Sequence, residues 1–179
     1  EIGTVIKQDI LENQVNISFL GIGSNLGNRK KYIQHAKYLI QNSNMQIIKS
    51  SSIYETPSWP NLNHPKYYNI VLKIKTSLNP ANLFRNIKAI ERKLGRQESK
   101  KNYPRTCDID IIDFNGKNFK IEINGQMLLI PHPRLTHRNF VLLPLFEIDK
   151  KWSHPEKKTR IIDLIANLST NSLRAIKLI

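Results

Sequence analysis

The chain has 179 residues, of which 40% are hydrophobic and 23% charged, a composition typical of one globular domain that excludes a largely disordered chain. The 28 Lys and Arg residues outnumber the 14 Asp and Glu, and the net charge of +14 favours anionic partners such as nucleotide phosphates. No apolar run is long enough to cross a bilayer, and the basic residues are scattered, so we expect neither a membrane nor a nucleic acid as partner.

Two further features indicate where the protein is located. Residues 1–16 lack the basic start and apolar block of a secretory signal. The single cysteine, Cys107, excludes an internal disulfide and fits a reducing compartment. We therefore expect a cytoplasmic protein.

Hydrophobic periodicity predicts alternating strands and helices along the chain. The predicted strands are residues 15–23, 45–54, 67–75 and a run from Asp108 onward, and the predicted helices are residues 29–42, 80–94, 138–146 and 159–168. Residues 55–65 are polar and proline-rich and are predicted to be irregular, whereas Asn115-Gly116 and Asn124-Gly125 mark a hairpin. The order β-α-β-β-α-β predicts an α+β, ferredoxin-like fold. Its antiparallel sheet would be covered on one face by two helices, with an added hairpin and C-terminal helices.

The last predicted strand of this series carries two carboxylates, Asp108 and Asp110. Side chains on a strand alternate between faces, so both should project to the same side, while Cys107 and Asp113 should face the other. Two neighbouring carboxylates repel each other, and a divalent cation such as Mg²⁺ would relieve that repulsion. For the bare motif taken alone, a solvated edge strand is the favoured explanation, so the pair by itself does not establish a metal site.

Other candidate ligand-binding residues lie in the loops. The glycines from Gly21 to Gly27 follow a strand and open a helix, but they match neither a Walker A loop nor a dinucleotide fingerprint, so a structural role is favoured. Trp59 stands on a proline-stiffened loop, and Tyr67 and Asn69 share one strand face, which suits a flat heterocycle. Packing alone would also explain each of these residues.

Cations flank the carboxylate pair in the sequence. A basic loop before the strand carries Arg96, Lys100, Lys101 and Arg105, which could stabilise charge on a transferring phosphoryl group. His132 and Arg138 flank a proline-rich turn and are ambiguous when taken alone.

These motifs belong to a longer series of blocks at compatible separations. In chain order the blocks are Gly23-Ser24-Asn25-Leu26-Gly27, Ser51 to Pro57, Tyr67-Tyr68-Asn69, Glu91 with Gly95-Arg96, Pro104-Arg105-Thr106 with Asp108-Ile109-Asp110, and Pro131 to Leu145. Over residues 17–168 the series resembles the 6-hydroxymethyl-7,8-dihydropterin pyrophosphokinase family of folate biosynthesis.

The resemblance implies transfer of pyrophosphate from ATP to the hydroxymethyl oxygen of the pterin, with release of AMP. It implies two Mg²⁺ ions held by Asp108 and Asp110, with Arg96 and Arg105 as further catalytic groups. The residues implied to line the pterin pocket are Thr56, Pro57, Trp59, Tyr67, Asn69 and Phe140. The residues implied to contact the nucleotide are Glu91, Arg105, His132 and Arg138. Family members are often fused to other folate enzymes, so we expect residues 1–16 to be an extension or linker and residues 17–179 to be the enzyme domain.

The chain departs from the family pattern at several points. Glu98 stands near the position of an expected loop arginine, for which Lys100 or Lys101 would have to substitute. Met127 and Leu129 stand where polar nucleotide contacts are sometimes found.

Two other classes of function remain open at this point. A ferredoxin-like nucleic-acid-binding module would suit the charge, although the chain lacks the aromatic RNA-recognition motif. A metal-dependent nucleotidyltransferase or nuclease would share the carboxylate pair but not the pterin pocket.

Overall fold

The computed structural model describes residues 14–96 and 103–179. The strands in these ranges are β1 (Asn16–Ser24), β2 (Met45–Ser50), β3 (Tyr54–Thr56), β4 (Tyr67–Thr76), β5 (Asp108–Phe114), β6 (Phe119–Ile123), β7 (Gln126–Ile130) and β8 (Lys177–Leu178). The helices are α1 (Arg29–Gln41), α2 (Pro80–Lys93), α3 (Asn139–Ile148), α4 (Ile161–Ala166) and α5 (Thr170–Ala175), with a 3₁₀ turn at Leu135–His137. None of these helices is long and apolar enough to cross a membrane.

The strands form an antiparallel sheet in the order β5-β1-β4-β3-β8, with β2 pairing beside β3 on β4. Strands β6 and β7 form a separate two-stranded hairpin. The hairpin turn is Asn124-Gly125, where both residues have positive φ (50° and 75°), as the Asn-Gly signal predicts.

The predicted strand over residues 45–54 is wrong, because the structure divides it into β2 and β3. The interruption follows from the Ser51 hydroxyl, which accepts a hydrogen bond from the backbone N–H of Val71 at 2.9 Å. That N–H is then satisfied by a side chain instead of a regular ladder partner. Residues 55–65 were predicted to be irregular, yet Glu55 and Thr56 belong to β3.

One face of the sheet is covered by α1 and α2. Helix α1 buries Ile33, Ala36 and Ile40, and α2 buries Leu83, Ile87 and Ile90. They pack on alternate sheet residues, Leu20, Ile22, Leu72, Ile74 and Ile109 among them. This apolar interface anchors the central strands, because burial of side chains of this size stabilises by about 1.5–3 kcal/mol each.

The opposite face is covered by the C-terminal region at one end only. Phe19, Val71 and Ile112 of the sheet pack against Leu142, Leu145 and Trp152. The sequence predicted a helix over residues 159–168, but α4 spans only Ile161–Ala166, and Ser169 then caps α5 by accepting from Ser172 N at 3.1 Å. The remainder of this sheet face stays open toward the cavity described below.

A bulge in β5 changes which way its last residues face. Leu20 pairs with Ile111 and Phe19 with Asp113, which leaves Ile112 as an extra residue between them. Asp113 consequently lies on the Trp152 side, where its carboxylate accepts from Trp152 Nε1 at 3.1 Å. The prediction that Asp113 faces away from the carboxylate pair is therefore wrong. Cys107 does face away and is buried with the helices, as predicted.

Candidate active site

A cavity of about 690 Å³ opens on the sheet face opposite α1 and α2. The end of β1 forms its floor, flanked by the beginnings of β4 and β5, because neighbouring antiparallel strands bring opposite ends together. The loop after β3 and the start of α3 form its walls. Backbone topology thus gathers residues from distant parts of the chain around one space.

Gly23 occupies the centre of the floor, paired with Asn69 on one side and Asp108 on the other. A Cβ atom at Gly23 would lie 3.2 Å from Asn69 Oδ1 and 3.4 Å from Tyr67 Cδ1. The missing side chain therefore allows Tyr67 and Asn69 to lie close over β1.

Asp108 and Asp110 both line the cavity, which confirms their predicted common face. Asp108 forms ion pairs with Arg96, whose Nη1 is 2.5 Å from Oδ1, and with Arg105, whose Nη1 is 3.0 Å from Oδ2. Burial disfavours ionisation of Asp108, but the guanidiniums of Arg105 and Arg96 outweigh this effect and lower its pKa. Asp108 is therefore a carboxylate at neutral pH.

Among the described residues, Arg138 is the cation paired with Asp110, which is more open to solvent than Asp108. Arg138 Nη1 lies 3.2 Å from Asp110 Oδ2, and the Asp110 side chain is 41% exposed. Nearby, burial and the Arg138 guanidinium lower the pKa of His132, against the opposing effect of Asp110. His132 Nδ1 accepts from Arg134 N at 3.0 Å, so the neutral ring carries its proton on Nε2.

Asp108 and Asp110 form one part of the cavity lining, which we call the carboxylate wall. Glu91 is buried beneath this wall and does not line the cavity itself. Its Oε1 atom accepts from Ile109 N at 2.6 Å and lies 2.5 Å from Arg96 Nη1 and 2.9 Å from Lys88 Nζ. Burial raises its pKa, with Lys88 acting in the opposite direction. The carboxyl group thus fixes both Arg96 and the start of β5, and it is placed to support the site from below.

The other end of the cavity is less charged. Asn69 donates from Nδ2 to Thr56 Oγ1 at 3.0 Å, which holds the amide in one orientation. Tyr67 lies beside it, and burial raises the pKa of its phenol, which therefore stays neutral. Phe140 also lines the cavity, with the Arg138 guanidinium 5.5 Å from its ring centre. A flat ring with polar edges fits such a pocket.

Apart from Arg96 and Glu91, the predicted site residues all contribute to the cavity lining. They are Thr56, Pro57, Trp59, Tyr67, Asn69, Arg105, Asp108, Asp110, His132, Arg138 and Phe140. Arg96 bonds to Asp108 from outside the lining. Lys100, Lys101 and Glu98 lie outside the residues that the structure describes. Met127 and Leu129 are on the hairpin strand β7, away from the cavity lining.

Sequence reasoning missed several lining residues. Arg134 and His137 could have been found, since they lie between His132 and Arg138 in a block already singled out. Ser172 and Ala175 of α5 carry no recognisable signal, and only the tertiary structure brings them to the cavity. Asn139 links the two regions by donating from Nδ2 to Ser172 O at 2.7 Å.

Comparison with known proteins finds relatives that share most of the length of this chain. The 2-amino-4-hydroxy-6-hydroxymethyldihydropteridine pyrophosphokinase of Bacillus subtilis is 41% identical over 134 residues, which cover 74% of this chain and 78% of the relative. The enzyme of the same name from Aquifex aeolicus is 39% identical over 137 residues, covering 76% of this chain and 82% of the relative.

A solved structure has a similar fold. A Plasmodium falciparum HPPK-DHPS double mutant with pterin and p-hydroxybenzoate superposes with a TM-score of 0.71 at 20% identity. The match covers 96% of this chain and 49% of the Plasmodium chain, so this chain spans about half of that protein. The family model described as 7,8-dihydro-6-hydroxymethylpterin-pyrophosphokinase (HPPK) matches residues 19–150. The chain therefore belongs to the HPPK family.

Proposed function

We propose that this chain is the pyrophosphokinase of folate biosynthesis that acts on 6-hydroxymethyl-7,8-dihydropterin. The hydroxymethyl oxygen loses its proton to solvent and attacks the β-phosphorus of ATP, the bond between the α,β-bridging oxygen and that phosphorus breaks, and AMP leaves. The single observation that carries this proposal is a cavity lined by carboxylates and arginines at one end and by aromatic and amide side chains at the other.

The pterin is assigned to the end formed by Asn69, Tyr67 and Phe140. The Asn69 amide, oriented by Thr56, offers hydrogen-bonding groups to the polar edge of the ring. Tyr67 and Phe140 offer aromatic faces, and Trp59, whose side chain is largely exposed on its loop, contributes further apolar surface to the cavity. The hydroxymethyl group would then point toward Asp108 and Asp110.

The carboxylate wall suits Mg²⁺. Among residues 14–96 and 103–179, no group of three His, Cys, Asp or Glu side chains is arranged to hold a metal ion, so an all-protein metal cage is absent there. Mg²⁺ commonly takes only one or two carboxylates and completes its shell with phosphate oxygens and water. Asp108 and Asp110 fit that role, and we assign two ions to them, as in the resemblance described above. Bound Mg²⁺ would neutralise charge on the triphosphate.

The arginines around the carboxylates suit the phosphates. In the structure, Arg96 and Arg105 pair with Asp108, and Arg138 pairs with Asp110. When Mg²⁺ and a triphosphate bind together, the carboxylates can pair with the metal and the guanidiniums can pair with the phosphates. We assign Arg105, Arg138 and His132 to the phosphates, and Glu91 to holding Arg96 in place.

We also propose that the strand order β5-β1-β4-β2 with its two helices is the ferredoxin-like arrangement. The cytoplasmic location and the assignment of residues 1–16 as an extension remain predictions, and residues 1–13 lie outside the described part of the chain.

Product analysis tests the proposed function. Purified protein is incubated with ATP, Mg²⁺ and 6-hydroxymethyl-7,8-dihydropterin, and the nucleotides are separated by anion-exchange chromatography. We expect AMP in equal amount to the pterin diphosphate and no AMP when the pterin is omitted. Formation of ADP in place of AMP would refute the proposal.

A further inference from the structure

Asn25 follows β1 and lies outside the cavity lining, with 1% of its surface exposed. Its side chain nevertheless connects two segments that form the two ends of the cavity. The sequence analysis favoured a structural role for the glycine-rich turn that contains it, and the proposed reaction assigns it none.

One side of Asn25 holds the backbone of Arg105. Its Oδ1 atom accepts from Arg105 N at 2.9 Å, and its own backbone N–H donates to Arg105 O at 3.1 Å. Both polar groups of the Arg105 peptide backbone are therefore bonded to one residue. The side chain of Arg105 then reaches Asp108, 3.0 Å away.

The other side of Asn25 holds the loop between β3 and β4. Its Nδ2 atom donates to Ser58 Oγ at 3.0 Å and to Pro65 O at 3.1 Å, and Ser58 Oγ donates in turn to Pro65 O at 2.7 Å. These bonds join the two ends of the loop. That loop carries Trp59 and Leu62, which line the pterin end of the cavity.

We propose that Asn25 is a positioning residue. It holds the loop between β3 and β4, which lines the pterin end of the cavity, at a fixed distance from Arg105, which binds the phosphates. An asparagine side chain has one carbonyl and two N–H donors, and here all three are used. Shorter side chains would not reach, and a carboxylate would present an acceptor to the Pro65 carbonyl. The inference rests on the proposed function, because it assigns the two ends of the cavity to pterin and triphosphate.

The test separates the hydrogen bond that Asn25 accepts from Arg105 from the hydrogen bonds that it donates to Ser58 and Pro65. Asn25→Asp keeps the acceptor for Arg105 N but loses both donors to the loop. We expect the Kd for 6-hydroxymethylpterin, measured by calorimetry, to rise about tenfold or more at neutral pH. The Kd for Mg²⁺ with α,β-methylene-ATP should change less than about threefold, since the hydrogen bond to Arg105 N is kept.

Two further readouts distinguish positioning from general stability. Burial raises the pKa of the introduced carboxyl, and its protonated form can donate one hydrogen bond. The ratio of the variant's pterin Kd to that of wild type should therefore decrease as pH falls. Asn16→Asp is the matched control, because Asn16 is equally buried at the other end of β1 and bonds to Leu78 O at 3.2 Å. It should lower Tm without changing the pterin Kd.

Should Asn25→Asp fail to fold, Ser58→Ala removes one partner on the loop side alone and should raise only the pterin Kd. The proposal is overturned if the folded Asn25 or Ser58 variant binds pterin within about twofold of wild type, or if Asn16→Asp weakens pterin binding equally. A wild-type protein that forms AMP alongside unaffected variants refutes this inference and leaves the proposed function standing. A wild-type protein that binds neither ligand refutes both.

Discussion

Asp110 and Asp113 lie on the same strand and, because of the β5 bulge, on the same side of the sheet, but their surroundings differ. Asp110 is 41% exposed in its side chain and, within the described part of the chain, pairs with Arg138. Asp113 is 2% exposed and accepts from Gly116 N at 2.8 Å and Trp152 Nε1 at 3.1 Å. The same substitution at the two positions should therefore affect different properties of the protein.

For Asp110→Asn we expect loss of turnover with little loss of stability. An exposed ion pair contributes about 0–1 kcal/mol, and removing a negative charge beside Asp108 offsets part of it, so Tm should stay within about 2 °C of wild type. Turnover should fall by about 10²-fold or more, because the substitution removes a charged oxygen ligand from the proposed Mg²⁺ site.

For Asp113→Asn we expect the reverse. The amide can accept only one of the two bonds, and a buried donor left without its partner costs about 1–3 kcal/mol. At about 2 kcal/mol, Tm falls by about 4–8 °C for a domain of this size. Turnover per folded molecule should remain close to wild type, because Asp113 does not line the cavity.

The assay pairs AMP formation under saturating substrates, measured well below Tm, with unfolding followed by differential scanning calorimetry. If Asp110→Asn retains near-wild-type turnover, the metal assignment is wrong. If it lowers Tm as much as Asp113→Asn does, the assignment of Asp110 to catalysis and of Asp113 to stability is wrong.

Two further predictions concern the same end of the sheet. The lowered pKa of Asp108 means that its ionisation stabilises the fold above the usual value of 3.8 and that this contribution is lost as pH falls through the lower folded-state pKa. Urea denaturation should accordingly show Asp108→Asn to be less stable than wild type at about pH 6, with the difference shrinking toward about pH 3; a constant difference would contradict this. Gly23→Ala should weaken pterin binding measured by calorimetry, because the new Cβ meets Asn69 and Tyr67. Gly21→Ala is the control and should weaken binding less, because its Cβ meets the flexible end of Ile112 at 3.2 Å. Equal effects of the two substitutions would argue against close approach at Gly23 as the cause.

Local sequence patterns predicted most of the secondary structure because short-range rules govern it. The helical spacing of Ile33, Ala36 and Ile40 indicated α1, and the Asn124-Gly125 pair indicated a hairpin turn. Strand alternation also placed Asp108 and Asp110 on one face, away from Cys107. Each of these features depends on residues within a few positions of one another.

Predictions went wrong where a partner distant in the chain decides the local geometry. The Ser51 hydroxyl bonds to Val71 and divides a predicted strand, and the pairing of β1 with β5 creates the bulge that turns Asp113 toward Trp152. No local pattern contains that information, because the partners lie 20 residues away or more.

The sequence by itself thus determined most of the elements and the common face of Asp108 and Asp110, since these follow from residue type and local periodicity, whereas the other predicted site residues were implied by the resemblance to the pyrophosphokinase family. Only the tertiary structure decided that Glu91 is buried under the wall, that Asn25 joins the two ends of the site and that α5 reaches the cavity. The physical reason is that buried polar groups take whichever partners the packed chain brings to them, and those partners are set by the whole fold.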